Sequence, residues 1–212
     1  MNIEFDHLVV AASTLDEGVH WCVATLGLTP GPGGKHPLMS THNRLFSIGG
    51  EAFPNTFFEI IAVDPDAPPP GRARWFGLDA LDLSSGPRLV TFVARTNALD
   101  DTLSDLGNMG FDAGRALPAS RDTPAGVLRW RIAVRDDGTV LCGGAMPTLI
   151  EWGGRHPAAS MPGSGVVLRS VTLRGVPRSA LDTTQLTIAD APGPALEAQL
   201  DTPRGLITLC SS

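Results

Sequence analysis

A chain of 212 residues with 42% hydrophobic and 18% charged side chains has the apolar material for a buried core and does not have the composition of a disordered segment. Its formal net charge of −6, with one lysine and scattered arginines, excludes a nucleic-acid binder that tracks the phosphate backbone, which needs clustered cations. No apolar run reaches the roughly 20 residues that cross a bilayer, and no basic segment with an apolar run opens the chain, so a cytoplasmic protein is expected.

The first element is a strand in "FDHLVVAA", with His7 directly before four apolar residues. Ser13 and Thr14 are cap residues, Asp16 and Glu17 fall in a first helical turn, and Val19, Cys22, Val23 and Leu26 recur at helical spacing until Gly27 stops the run. His20 lies within that helix, without an evident partner. "GPGGKHP" follows a helix and lacks the Lys-Ser/Thr ending, so it is no phosphate loop, and its His36 has no evident partner either. "RLFSIGG" and "TFFEIIAV" then read as β-runs, which gives the order β, α, β, β, β.

That order returns. "RLVTFVARTNALDDTLSDLGNMGF" repeats the hydrophobic pattern of "DHLVVAASTLDEGVHWCVATLGL", with Leu15-Asp16 matching Leu99-Asp100 at an offset of 84 (99 − 15). Between the two copies, residues 66–86 are rich in Pro and Gly and read as a linker with room for one helical turn. In "GVLRWRIAVR", Leu128, Trp130, Ile132 and Val134 alternate with Arg129, Arg131, Ala133 and Arg135, as in a strand buried on one face. Asp137-Gly138 carries a hairpin signal, and "PTLIEWGG" closes the second unit as "TFFEIIAV" closes the first. From Gly165 the chain becomes alternating strands punctuated by Pro and Gly, with one short helix candidate in "PALEAQ". The divisions expected are therefore a first unit over 1–65, the linker, a second unit over 87–157 and a β-rich extension over 158–212.

Cys22, Cys142 and Cys210 lie too far apart for a CxxC site and read as buried thiols. Glu59 and Glu151 each stand among apolar neighbours, where a carboxylate is costly unless it is paired or coordinating. The other reading for each is a position on a solvent-facing side of its sheet. His7 is likewise either a site residue or a hydrogen-bonded strand residue. No G-x-S-x-G elbow is present, which argues against acyl-enzyme chemistry.

Two tandem βαβββ units, with "DHLVVAA", "THNRL", "FEIIAVDP" and "IEWGGRHP" in this order, resemble the glyoxalase-like domain proteins of the vicinal oxygen chelate superfamily. The resemblance covers roughly residues 3–157. It implies an α+β fold in which the units form a cup-shaped incomplete barrel, with ligands from the first and fourth strands of each. Carried onto this chain, those positions are His7, Glu59 and Glu151, holding a divalent metal whose identity (Zn, Ni, Fe, Mn or Mg) is open. The fourth position, 84 after His7, is Thr91, a poor ligand. The implied activity is metal-assisted chemistry on a small carbonyl or vicinal-oxygen substrate, of isomerase, lyase or dioxygenase type, with Glu151 as the base. His42, Asn43, Thr91, Trp130, Trp152 and His156 are expected to touch the substrate at the cup or its rim; Arg129 and Arg131 are a pair that could grip a carboxylate. The other reading is a metal-free protein that binds or sequesters a small molecule in the same cup. The expected partner is a small molecule, with neither nucleic acid nor membrane, and a homodimer is compatible with the β-rich extension.

Overall fold

The structure, a computed structural model, describes residues 3–123, 126–181 and 183–211. The first unit runs β1 (Glu4–Ala11), α1 (Leu15–Leu26), β2 (Lys35–His36), β3 (Thr41–Ser47) and β4 (Phe57–Val63). The second repeats it as β5 (Arg88–Arg95), α2 (Leu99–Asn108), β6 (Arg115–Thr123), β7 (Gly126–Val134) and β8 (Thr148–Trp152). Capping sets the start of α1: the Thr14 side chain accepts from Glu17 N, and Glu17 Oε2 accepts from Ser13 N. Gly27, at φ 78°, ends it in the left-handed conformation that glycine adopts without strain.

One eight-stranded sheet contains both units in the order β2-β3-β4-β1-β5-β8-β7-β6. Its centre is a pseudo-symmetric seam. β1 and β5 pair antiparallel, while β4 and β8 each pair parallel to the first strand of their own unit. The sheet curves so far that its two edges approach each other, with Gly34 beside β2 lying against Arg121 of β6. This is the α+β cup that the resemblance implied.

The sheet is covered on both faces, which is why β1 is buried at every position after Glu4. Leu8, Val10, Phe58, Ile60 and Phe92 point outward into a core completed by α1, α2 and a second sheet. That second sheet has the order β10-β9-β11-β12, built from β9 (Val167–Leu173), β10 (Thr187–Ile188), β11 (Leu196–Thr202) and β12 (Gly205–Cys210). Leu168, Val171, Leu196, Ala198 and Leu200 carry its apolar face into the same core. Val9, Ala11, Ile61, Val93, Ile132 and Ile150 point the other way and line the inside of the cup.

Four local expectations change. "PALEAQ" is not helical: its Leu196 opens β11, because Leu196, Ala198 and Leu200 alternate inward. Asp137-Gly138 makes a turn but not a tight β7–β8 hairpin. Gly138 instead receives Gly77 N at 2.7 Å, and a Cβ there would fall 2.1 Å from Arg74 O, so this turn clamps the linker. The linker's helical turn, Trp75–Gly77, is far from a solvent spacer, since Trp75 and Phe76 are buried in the cup. Of the three cysteines, Cys22 is buried, with its thiol pushed up to about 12 by burial, whereas Cys210 is exposed on β12.

Candidate functional site

The site begins with an irregularity in β1. Pairing with β5 jumps from Phe5↔Ala94 to His7↔Val93, which leaves Asp6 as the extra residue of a bulge. Successive strand residues ordinarily face opposite sides; here Asp6 and His7 meet, with His7 Nδ1 2.6 Å from Asp6 Oδ1. Asp6 is fully buried and serves as a hub. Its Oδ2 accepts from Trp152 Nε1 at 2.9 Å and from His156 Nε2 at 2.8 Å, with Arg95 Nη1 3.8 Å away. His156 Nδ1 accepts from Ala158 N, which fixes the proton on the nitrogen facing Asp6.

On the other side of the His7 ring, Nε2 lies 3.4 Å from Glu59 Oε2, an ion-pair distance longer than an ordinary hydrogen bond. The register Val9↔Glu59 turns Glu59 inward from β4. Its Oε1 accepts from Asn43 Nδ2 at 2.6 Å. The same amide nitrogen faces His36 Nε2 at 3.2 Å, while Asn43 Oδ1 accepts from Gly34 N at 2.8 Å and Arg121 Nη1 at 3.1 Å. His36 Nδ1 lies 3.0 Å from Thr41 Oγ1, so His36 is the tautomer that donates to Thr41 and accepts from Asn43.

These contacts set different charge states on two histidines of one cup. Burial works to lower the pKa of His7, but its hydrogen bonds and charge interactions with Asp6 and Glu59 outweigh this and hold it at about 9. Burial likewise works to raise Asp6 and Glu59. The histidines around Asp6, and His7 with Asn43 at Glu59, pull both carboxylates below their usual range. His36 has no such carboxylate contact, and burial brings it down to about 4. At neutral pH the cup therefore carries an imidazolium between two carboxylates, next to a neutral imidazole.

Aromatic and aliphatic walls complete a small cavity over this cluster. The second unit supplies Leu128, Trp130, Ile132, Ile150 and Trp152; the linker supplies Trp75 and Phe76. The alternation read in β7 holds, with Leu128, Trp130 and Ile132 facing the cup.

Of the expected residues, the fold brings together His7, Glu59, Asn43, Trp130 and Trp152. His156 reaches the cluster from the rim through Asp6 and tilts against Phe57. Glu151 is not in the cup. The parallel ladders pair Val9 with Glu59 and, 84 positions on, Val93 with Thr148, so Thr148 is the counterpart of Glu59. Ile150 and Trp152 then face inward, and Glu151, one position out of phase, points to the other face. There it accepts from Arg131 Nη1 at 2.9 Å, and Arg131 also binds Asp100. Arg131 thus has carboxylates of its own chain, and Arg129 lies beside it outside the cup. Thr91 is fully buried, with its hydroxyl donating to Gly144 O at 3.1 Å, and does not line the cavity. His42 points away from the cup toward Lys35 and Asp64.

A divalent metal would find His7 Nε2 and the Glu59 carboxylate in the first unit. Thr91 and Thr148 offer no imidazole or carboxylate in the second. Among the described residues no group of three or more His, Cys, Asp or Glu is placed to hold a metal ion. The donor set therefore does not fit the three-ligand centre that the resemblance implied.

Asp6, His36, Arg121 and Trp75 belong to the site without having been singled out by the sequence. Strict strand alternation would put Asp6 on the face opposite His7, and the bulge that changes this has no sequence period. His36 and Arg121 lie on the two edge strands, which meet only when the barrel curls.

A model of a family described as "Glyoxalase-like domain" matches residues 5–197. No curated protein sequence matches significantly. Among solved structures, a hypothetical protein from Staphylococcus aureus is similar over 100% of this chain and 87% of its own, with a TM-score of 0.62 and 15% identity. A variant of methylmalonyl-CoA epimerase from Streptomyces coelicolor, in complex with 2-nitronate-propionyl-CoA, is similar over 71% of this chain and 98% of its own, with a TM-score of 0.45 and 15% identity. The same enzyme from Mycobacterium tuberculosis covers 74% and 92%, at 0.42 and 16%. At these identities the likeness concerns the fold. Among the described residues no helix is long and apolar enough to cross a membrane.

Proposed function

This chain belongs to the glyoxalase-like domain family of the vicinal oxygen chelate superfamily, and from that premise we propose that its cup moves a proton on a small carbonyl compound. The observation that carries this reading is the His7–Glu59 pair. There an ionised base and an acidic N–H converge on the floor of the aromatic-walled cavity. Glu59, in place of the outward-facing Glu151, is the base.

The chemistry follows from those two groups. Glu59 takes a proton from a carbon next to a carbonyl, the C–H electron pair becomes the C=C bond of an enolate, and the carbonyl π pair moves to oxygen. His7 Nε2–H donates to that oxygen and stabilises its negative charge. Return of the proton to the same carbon racemises or exchanges it; return to a neighbouring atom isomerises the compound. Asp6 holds the imidazole as a positioning residue, in the manner of a carboxylate that orients a histidine.

A second reading, a protein that binds small molecules unchanged, is favoured by Thr91 and Thr148, which put neither an imidazole nor a carboxylate at the second unit's counterparts of His7 and Glu59. Proton NMR in D₂O with hydroxyacetone, pyruvate and 2-oxobutyrate separates the two. Protein-dependent replacement of α-C–H by deuterium, lost in Glu59→Gln, supports the enzyme. Binding without exchange in the parent protein supports the binder and overturns the enzyme.

A further inference from the structure

Among the described residues Arg121 makes no direct ion pair, and Glu59 acts on it only from beyond the Asn43 amide. It reaches from β6 over the mouth of the cup and lines the cavity, half buried, yet its one hydrogen bond among those residues runs from Nη1 to a neutral group, Asn43 Oδ1. Nε is buried without a partner, and Nη2 takes part in no hydrogen bond or ion pair among the described residues. The other charges of the site are matched. Asp6 is met by His7 and His156, and Glu59 by His7. The unused Nε–Nη2 edge of a guanidinium is the flat two-donor edge that accepts a carboxylate side-on.

The "GPGG" turn, which makes no phosphate loop, places this edge. A Cβ on Gly33 would fall 2.0 Å from Asn43 O and 2.4 Å from Asn43 Oδ1. One on Gly34 would fall 2.6 Å from Arg121 Nη1 and 3.1 Å from Cζ, so the guanidinium packs closely against bare backbone. Only the Asn43 amide separates Arg121 from Glu59, by hydrogen bonds of 3.1 and 2.6 Å.

Resting on the proton-transfer reading above, we infer that the cup takes an anionic substrate: a short 2-oxo carboxylic acid, its carboxylate on the Nε–Nη2 edge of Arg121, its 2-oxo oxygen toward His7 Nε2 and its C3–H toward Glu59. Arg121 is then the residue that selects carboxylates over neutral carbonyl compounds.

The test is calorimetric titration of the full chain with pyruvate and with methyl pyruvate, its neutral ester. Parent protein binds pyruvate at least tenfold more tightly, and Arg121→Gln removes that preference by weakening pyruvate alone. Gly34→Ala, which keeps the charge and displaces the guanidinium, lowers the preference by a smaller factor. Circular dichroism of each variant confirms the fold. Equal binding of the two compounds by parent protein, pyruvate binding untouched by Arg121→Gln, or no binding of pyruvate overturns the inference. The two readings fail separately: Arg121-dependent binding without deuterium exchange sinks the enzyme alone, and exchange on hydroxyacetone with no preference for pyruvate sinks the anion site alone.

Discussion

In the first unit, β1, β3 and β4 turn His7, Asn43 and Glu59 into the cup, and the bulge adds Asp6 behind them. In the second, the strand positions related to His7 and Glu59 hold Thr91 and Thr148, and Trp130, Ile132, Ile150 and Trp152 face the cavity. One backbone plan thus carries a charged floor in one copy and, apart from Arg121 at the edge strand, an apolar wall in the other. Buried charges are costly unless each finds a partner. Here they are gathered where they neutralise one another, and the facing half excludes water from them.

Breaking the charged half carries the largest expected effect. In Asp6→Asn an NH₂ replaces an oxygen among three donors, His7, Trp152 and His156, and the loss expected for breaking a buried pair is roughly 3–5 kcal/mol. Thr148→Val, at the quiet counterpart of Glu59, changes stability by less than about 1 kcal/mol. Urea unfolding of the two variants measures the contrast, and comparable losses would erase the distinction between the halves.

The pH dependence of stability sharpens it next. His7 binds its proton more tightly folded than unfolded, so its contribution is complete below about 6.5 and is lost as pH rises through 9. His36 binds its proton less tightly folded, so its contribution is present above about 6.5 and is lost as pH falls toward 4. Thermal unfolding across this range should lose the alkaline limb in His7→Gln and flatten the acid limb in His36→Asn. In the second half, Ile150→Val trims the apolar wall at a cost of about 0.5–1.5 kcal/mol, with no change in either limb. Glu151→Gln is the smallest change. It removes a solvent-screened pair with Arg131 and leaves deuterium exchange at the parent rate.

The duplicated architecture was legible because hydrophobic period and the 84-residue offset report backbone plan directly. Half of the charged floor was legible too, since Glu59 inside "TFFEIIAV" is a carboxylate that burial makes expensive. Glu151 misled because "LIEW" looks like "FEII" while its register differs by one position in phase, and a single step reverses which face a strand residue takes. Asp6 and Arg121 were hidden for a different reason. One depends on a bulge, the other on curvature that brings β2 to β6, and neither leaves a periodic trace.

The most direct test is the protonation of His7, read by long-range ¹⁵N–¹H correlation spectra of the imidazole rings and assigned with His7→Gln. An imidazolium with both nitrogens protonated at pH 7, titrating near 9, is the result expected of a ring held between Asp6 and Glu59. A neutral His7 ring at pH 7 with a bare Nε2 would contradict it and remove the basis for proton transfer by this pair.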